Sequence, residues 1–358
     1  MKKKILYMMH VDWGWIKQRP HFIAEKLDEV FEVWVFYLMT RNRKVMTDNP
    51  TTIRKSPIVT FPLKRIQFFN ELSIFLQKIL FSMIIKVYNP EYIWITYPAL
   101  YNYLPKSKNK QYKIIYDCMD DVLGFNNISR IKKELELSEK QLLRDADIVF
   151  VSSENLQKTI IQRGCAEEKT LLVRNGYNGE IIIPELDDKR TQINQPFKIG
   201  YVGTISDWVD FDTILKSLES FNNIEYHFFG PIDCEVPKHS KIHFHGSVKH
   251  SDLYERVKNC DCLIMPFMIN NLILSVDPVK LYEYVNFNKN IITVYYKEIE
   301  RFGDFVHFYQ TDDEYVAIIS HLLNNNEIKY SNEQRMEFLT NNTWEKRANT
   351  ISNRILKK

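Results

Sequence analysis

Cysteine is scarce and unpaired here. Five residues, Cys118, Cys165, Cys234, Cys260 and Cys262, fall at irregular spacing with no CxxC among them. That excludes a disulfide framework and a CxxC-type zinc or dithiol centre, and it fits a reducing cytoplasm. Cys260 and Cys262 flank the start of an apolar run and read as packing residues. There is no GxGxxG fingerprint, which disfavours a nicotinamide enzyme. A helix-turn-helix signature, a zinc finger and an RNP-like aromatic motif are all missing, so nucleic acid is not an expected partner. Solenoid repeats and low-complexity tracts are absent too. The basic start Met1 to Lys4 leads into Ile5 to Met9, too short for a signal-peptide core and without a small-residue cleavage site. It reads as a buried first strand. Phe68 to Val87 is long enough for a helix of about 30 Å, but Asn70, Glu71, Gln77 and Lys78 interrupt it and argue against a membrane span. Two readings stay open for it, a core helix and an amphipathic surface element docking on a bilayer beside Lys64-Arg65.

What is present is the material of two globular domains: 358 residues, 45% hydrophobic and 26% charged. The overall net charge of +3 conceals an asymmetry, because residues 1–176 hold 28 Lys and Arg against 19 Asp and Glu. The first half therefore favours anionic partners, such as a membrane surface or a lipid-phosphate acceptor. Short β-rich runs recur between helical stretches at Lys4 to Met9, Val33 to Tyr37, Tyr92 to Thr96, Lys113 to Asp117, Asp147 to Ser152 and Lys169 to Arg174. A polar stretch from Glu185 to Pro196 reads as a linker. A second series follows at Lys198 to Val202, Glu225 to Phe229, Ile242 to His245, Cys262 to Pro266 and Asn290 to Val294. Strands alternating with helices predict parallel sheets covered on both faces, in two successive α/β domains. The expected boundaries are 1–180, 181–340 and a C-terminal helix over 341–358 that Trp344 anchors.

In open parallel sheets ligands bind beyond the carboxyl ends of the strands. After the first strand stand His10, Gly14 and Trp15, then Arg19 at a helix start. Gly14 permits the turn and a helix N-terminus attracts anions, so His10 or Arg19 is a candidate for an acceptor or a phosphate. The alternative makes the tryptophans packing residues and Arg19 a surface ion pair. The fourth strand ends in Asp117, Asp120 and Asp121, whose mutual repulsion can raise a pKa and suit one of them, Asp120 first, to general-base work. Helix capping is the alternative. In the second half, Gly200-Tyr201-Val202-Gly203-Thr204 joins a strand to a helical segment, where bare N–H groups can hold a diphosphate or merely serve a turn. In Asp277 to Tyr284, Pro278 suits a first helical turn and puts Lys280 and Glu283 three residues apart on one face. A lysine neutralises phosphate and a carboxylate accepts both hydroxyls of a ribose, whereas the plainer reading is a surface ion pair. Asp145-x-Asp147 and Asp210-x-Asp212 look like metal-binding DxD motifs, but capping and turns account for them, and no metal is expected.

Taken together, Trp15-x-x-Gln18-Arg19-Pro20-His21, Tyr116 to Asp121, Val173-Arg174-Asn175-Gly176, Ile199 to Gly203, His243 to Val248 and Asp277 to Tyr284 resemble GT-B glycosyltransferases in order and spacing. The similarity is to the retaining family 4 and its teichuronic-acid and capsular-polysaccharide biosynthesis members. It covers nearly the whole chain. The resemblance implies two Rossmann-like domains whose sheets face each other across a cleft, with the C-terminal helix packing back on the first. It implies an acceptor, lipid-linked or a growing glycan, on the first domain and a UDP- or GDP-sugar on the second. Carried over residue by residue, Glu283 holds the ribose, Gly203 and Thr204 lie against the diphosphate, and Ser247 and Val248 face the base. Lys280 lies near the phosphates, and Ser275, Val276, Asp277 and Pro278 approach the donor sugar. The expected activity is metal-independent, retaining hexosyl transfer in the cytoplasm or at the inner face of the membrane.

One departure from that pattern bears on chemistry. Many family 4 enzymes carry an Arg and a Lys shortly after the glycine of the second domain's first strand, and Thr204-Ile205-Ser206-Asp207-Trp208-Val209-Asp210 has neither. Lys280, aided by Arg19, is left to neutralise the leaving diphosphate. The same gap keeps open an inverting course with a base among Asp117, Asp120 and Asp121, a non-catalytic subunit of a glycan-assembly complex, and a nucleotide-sugar epimerase.

Overall fold

The computed structural model describes residues 2–15, 17–40, 51–60, 67–106, 110–125, 129–177, 179–183, 195–249 and 252–357. The basic pair Lys64-Arg65 and most of the polar stretch read as a linker lie outside these. The chain forms two compact units, Met1–Asn175 with Trp344–Lys358, and Gly176–Thr343.

The first unit runs β1 (Lys4–Met9), α1 (Arg19–Val30), β2 (Glu32–Leu38), β3 (Arg54–Ile58), α2 (Gln67–Tyr88), β4 (Tyr92–Ile95), α3 (Pro98–Tyr101), β5 (Lys113–Cys118), α4 (Ser129–Asp145), β6 (Ile148–Val151), α5 (Glu154–Gln162) and β7 (Thr170–Leu172). Its seven strands are ordered β3-β2-β1-β4-β5-β6-β7, all parallel. The order reverses between β1 and β4, the position at which doubly wound sheets open a ligand crevice. β4 (Tyr-Ile-Trp-Ile) and β6 (Ile-Val-Phe-Val) are wholly buried, as strands covered on both faces must be.

The second unit runs β8 (Phe197–Val202), α6 (Phe211–Ser220), β9 (Ile224–Phe229), β10 (Ile242–Phe244), α7 (Leu253–Val257), β11 (Cys262–Met265), α8 (Val279–Asn286), β12 (Asn290–Val294), β13 (His307–Tyr309), α9 (Asp312–Asn324) and α10 (Asn332–Asn341). Its parallel order, β10-β9-β8-β11-β12-β13, reverses between β8 and β11. Helix starts follow side-chain caps: Asp210 accepts from Thr213 N, Thr311 forms a capping box with Glu314, and Ser331 forms one with Gln334.

α11 (Trp344–Leu356) belongs to the first unit and packs on α1. Phe22 stacks on Trp344 with centroids 5.3 Å apart, and Tyr92 Oη donates to the Ile355 carbonyl at 3.2 Å. This is the return of the C-terminal helix that the resemblance implied.

α2 settles one open reading. Its apolar residues are not a core: within the stretch from Phe68 to Tyr88 only 17% of the most apolar window is buried. Phe68, Phe75, Leu76, Ile79, Leu80, Met83 and Val87 are exposed at helical spacing, while Phe81 and Ser73 face inward. The core-helix reading does not hold, and α2 is a surface element with an exposed apolar face.

Candidate functional site

Each unit gathers its candidate residues just beyond the carboxyl ends of its strands. In the first unit, His10 follows β1 and is held from β4. Its backbone N–H donates to Thr96 Oγ1 at 3.2 Å, its Nδ1 lies 3.0 Å from the same oxygen, and its ring stacks on Tyr97. Burial, helped by His21, lowers its pKa to about 4, so it is neutral. Gly14 sits in a turn closed by Asp12, whose Oδ1 accepts the Gly14 N–H at 3.0 Å, and Trp15 N donates to the Asp12 carbonyl. Gly14 and Trp15 are half-buried, and Trp13 is buried against His21.

Arg19 takes a different place from the one expected of an acceptor-binding cation. It is 2% exposed and Asp117 is 0% exposed. Arg19 Nη2 donates to Asp117 Oδ1 at 2.8 Å, Nε reaches both carboxylate oxygens, and Nη1 donates to the Val173 carbonyl at 2.7 Å and to Asn175 Oδ1 at 3.2 Å. The pair ties the start of α1 to the ends of β5 and β7. Neither residue is left to meet a substrate, which corrects the catalytic reading of Asp117 and the acceptor reading of Arg19. A buried guanidinium needs a planar, bidentate partner, and Asp117 supplies it.

The rest of the aspartate cluster divides. Asp121 is buried, paired with Arg163 at 2.8 Å, and its Oδ1 accepts from Leu123 N, so it fixes the turn. Arg163 in turn binds Glu139. That leaves Asp120. It is half-buried, and its carboxylate has no hydrogen-bond partner among the described residues. Desolvation raises its pKa to about 7; Arg19 opposes the rise, and Asp117 and Asp121 add to it. Among the three carboxylates, Asp120 is the one left without an arginine ion pair among the described residues, and its raised pKa suits it to general-base work.

In the second unit, β8 ends at Gly203 with φ 133°, and a Cβ there would stand 2.0 Å from Lys280 Cε. Only glycine lets the lysine cross the strand end. Gly230, after β9, is equally obligatory, since its Cβ would fall 1.9 Å from the Gly203 carbonyl oxygen. Gly203 N donates to the Phe229 carbonyl and Gly230 N to the Gly246 carbonyl, so the ends of β8, β9 and β10 interlock. Thr204 is half-buried, with its carbonyl bound by Tyr201 Oη. Ser247 is exposed and Val248 half-buried in the loop after Gly246.

α8 is fixed over this strand end by Tyr284, whose buried Oη accepts from Val202 N at 2.8 Å. Leu281, Tyr282, Tyr284 and Val285 are buried, and Lys280 and Glu283 share the remaining face. Lys280 Nζ lies over the rings of Tyr201 and Phe267 at 5.5 and 5.3 Å, and it has no ion pair among the described residues. An ammonium held against aromatic faces without a carboxylate is ready for an anion. α8 begins at Pro278 without a side-chain cap, which leaves N-terminal N–H groups pointing the same way.

The segment before α8 is mostly buried: Ser275, Asp277 and Pro278 are inside and Val276 is half-buried. Asp277 is fully buried and bound by Arg301 and by Tyr282 Oη, so its carboxylate fixes the loop rather than facing a sugar. The DxD look-alikes are used structurally. Asp145 binds Arg144 and Tyr101, Asp147 accepts from Ile114 N, and Asp210 caps α6. All five cysteines are free.

Several partners in these sites were not singled out from sequence: Thr96 and Tyr97 around His10, Arg163 on Asp121, Tyr284 under α8, and Arg301 on Asp277. Only Tyr284 carried a signal, lying one residue after Glu283 on the apolar side of the helix.

No protein-family model and no curated relative matches the chain. Among solved structures, Anabaena HepE in complex with UDP and glucose superposes with a TM-score of 0.74 at 13% identity, covering 100% of both chains. The lipopolysaccharide outer core galactosyltransferase WaaB gives 0.69 at 16% identity, over 99% of this chain and 100% of that one. Sucrose-phosphate synthase of Thermosynechococcus elongatus gives 0.71 at 14%, over 98% of each. The chain therefore has the GT-B fold.

Proposed function

We propose that the chain is a glycosyltransferase moving a hexose from a UDP-sugar to a hydroxyl of a lipid-linked or growing surface glycan. The observation that carries the reading is Lys280, without an ion pair among the described residues, crossing Gly203 at the end of β8, with Glu283 one turn further on the same helix face. That is a cation for a leaving diphosphate beside a carboxylate for a ribose, on a fold whose neighbours include a UDP complex. Electrostatic stabilisation of the departing diphosphate then falls to Lys280, the N–H group of Thr204 and the uncapped start of α8. No metal is needed for this charge balance. Ser247 and Val248 are assigned to the base, and the backbone from Ser275 to Pro278 to the sugar.

The acceptor is assigned to the first unit, against His10, Gly14, Trp15 and Asp120. Under retention Asp120 accepts the hydrogen bond of the incoming hydroxyl; under inversion it removes that proton. Retention follows from the family resemblance, and the anomer of the product decides between the two. The exposed apolar stripe of α2, with the basic surplus of the first half, supports contact with the anionic inner face of a cytoplasmic membrane, where a lipid-linked acceptor resides.

The test is calorimetric titration of UDP into the wild type and Glu283→Ala, coupled to turnover of UDP-hexoses. Binding that Glu283→Ala abolishes, together with transfer, supports the reading. Binding without turnover would point to a non-catalytic subunit, isomerised donor without acceptor to an epimerase, and unchanged binding in Glu283→Ala would remove that residue from the site.

A further inference from the structure

Away from Lys280 and Gly203, β9 and β10 collect imidazoles on one face of the second sheet. The strands are parallel with His243 beside His227 in register, so Glu225 and His227 on β9 and His243 and His245 on the next chain segment project to the same side. His227 Nε2 lies 3.6 Å and His243 Nε2 3.8 Å from the same oxygen, Glu225 Oε2, and the three atoms are all within 4.8 Å of one another. Neither separation is a hydrogen bond. His227 Nε2 is buried and has no partner, although buried ring nitrogens are ordinarily bonded. Its other nitrogen is engaged, with Nδ1 3.0 Å from His245 Nε2. With the proton on Nδ1 and donated to His245, Nε2 turns a lone pair into the same space that Glu225 and His243 enter. Three electron-pair donors then converge on one point.

We propose that Glu225, His227 and His243 bind a divalent transition-metal ion of the zinc type, with His245 orienting His227. Two imidazoles and a carboxylate form a recognised zinc ligand set, and metal–ligand bonds of about 2.0–2.2 Å in a tetrahedron put ligand atoms roughly 3.4 Å apart. The two separations around Glu225 exceed that by less than about half an ångström, a rotamer adjustment rather than a rearrangement. Glu225 and His243 side chains are 29% and 38% exposed, which gives the ion an entry path and water a fourth position. His245 is itself held by stacking on Phe229, centroids 4.5 Å apart. A hydrogen bond to the free nitrogen of a liganding histidine is the usual support of such a site.

The ion would join β9 to the three-residue edge strand β10 and steady the turn at Gly246 that carries Ser247 and Val248. This role is structural and independent of the transferase reading. The test uses tag-free full-length protein stripped with EDTA, titrated with zinc chloride against a chromophoric chelator, and separately with cobalt chloride for visible d–d absorption. One equivalent of metal with a tetrahedral cobalt spectrum is expected. Glu225→Gln and His243→Ala should each abolish stoichiometric uptake, His245→Ala should weaken it about 10–100-fold, and His321→Ala should leave it unchanged. Matching far-UV circular dichroism of the metal-free variants and wild type excludes misfolding as the cause. No stoichiometric uptake by the wild type, or uptake that survives the His227→Ala/His243→Ala double variant, overturns the proposal.

Discussion

Replacing Asp120 by Asn should raise stability and lower transfer at once, and the two effects have separate magnitudes. The folded protein holds the Asp120 proton to about pH 7, whereas an unfolded chain loses it near the ordinary aspartate value of 3.8. Between those values the native state binds more proton than the unfolded state, so wild-type stability falls as pH rises through the window. The shift of about three pH units is worth about 4 kcal/mol at 1.36 kcal/mol per unit, and partial exposure of the side chain to water brings the expected penalty nearer 2 kcal/mol. Asn has no charge to desolvate. Urea unfolding at a series of pH values should show Asp120→Asn about 2 kcal/mol more stable at pH 8 and equal to wild type below pH 4. Transfer should drop by about 100-fold or more, as for loss of a general base or an acceptor hydrogen bond, while UDP affinity stays unchanged. A stability difference that does not vary between pH 4 and 8 would refute the raised pKa. Full transfer by the variant would remove Asp120 from the chemistry.

Arg19→Ala should cost about 3–5 kcal/mol in urea unfolding, because it strands Asp117 as a buried unpaired charge; a loss under 1 kcal/mol with abolished activity would return Arg19 to the substrate. Gly203→Ala should depress kcat at least about tenfold and more than UDP affinity, as Lys280→Ala does, since the new methyl displaces Lys280; unchanged turnover would place the diphosphate elsewhere. Lys280→Ala should depress kcat more than UDP affinity if its charge acts on the leaving group; lost affinity with kcat unchanged would make it a binding residue only. Phe75→Glu with Met83→Glu should release the protein from anionic vesicles in a flotation assay without changing its melting temperature, and retained binding would count against the α2 face.

Much of this architecture was legible because parallel strands covered on both faces leave a plain signature. The apolar runs at Lys4 to Met9, Tyr92 to Thr96 and Asn290 to Val294 have few other uses, and the helices between them set the topology. The two strands not anticipated are both at sheet edges. β3 is Arg-Lys-Ser-Pro-Ile, whose Pro57 and charges are tolerated only where one side lacks a partner, and β13 has three residues. The sites were legible in composition but not in division of labour. Asp117, Asp120 and Asp121 are alike as letters, and what separates them is which guanidinium reaches each: Arg19 arrives from 98 positions upstream and Arg163 from 42 positions downstream. Sequence spacing carries no trace of such pairings.

The same logic bears on the cations missing after Gly203. A leaving diphosphate needs positive charge where it forms, and a lysine already engaged by a carboxylate contributes little of it. Two other cations of the second unit are so engaged: Arg301 is bound to Asp277 and Lys216 to Asp312. Lys280 instead rests on Tyr201 and Phe267, which hold an ammonium in place without neutralising it. One preorganised and partly buried ammonium can then supply that charge, provided nothing larger than hydrogen stands at position 203. Gly203 and Lys280 are on this argument a single functional unit. Substituting either should produce the same defect, and combining Gly203→Ala with Lys280→Ala should add little to the loss caused by one alone.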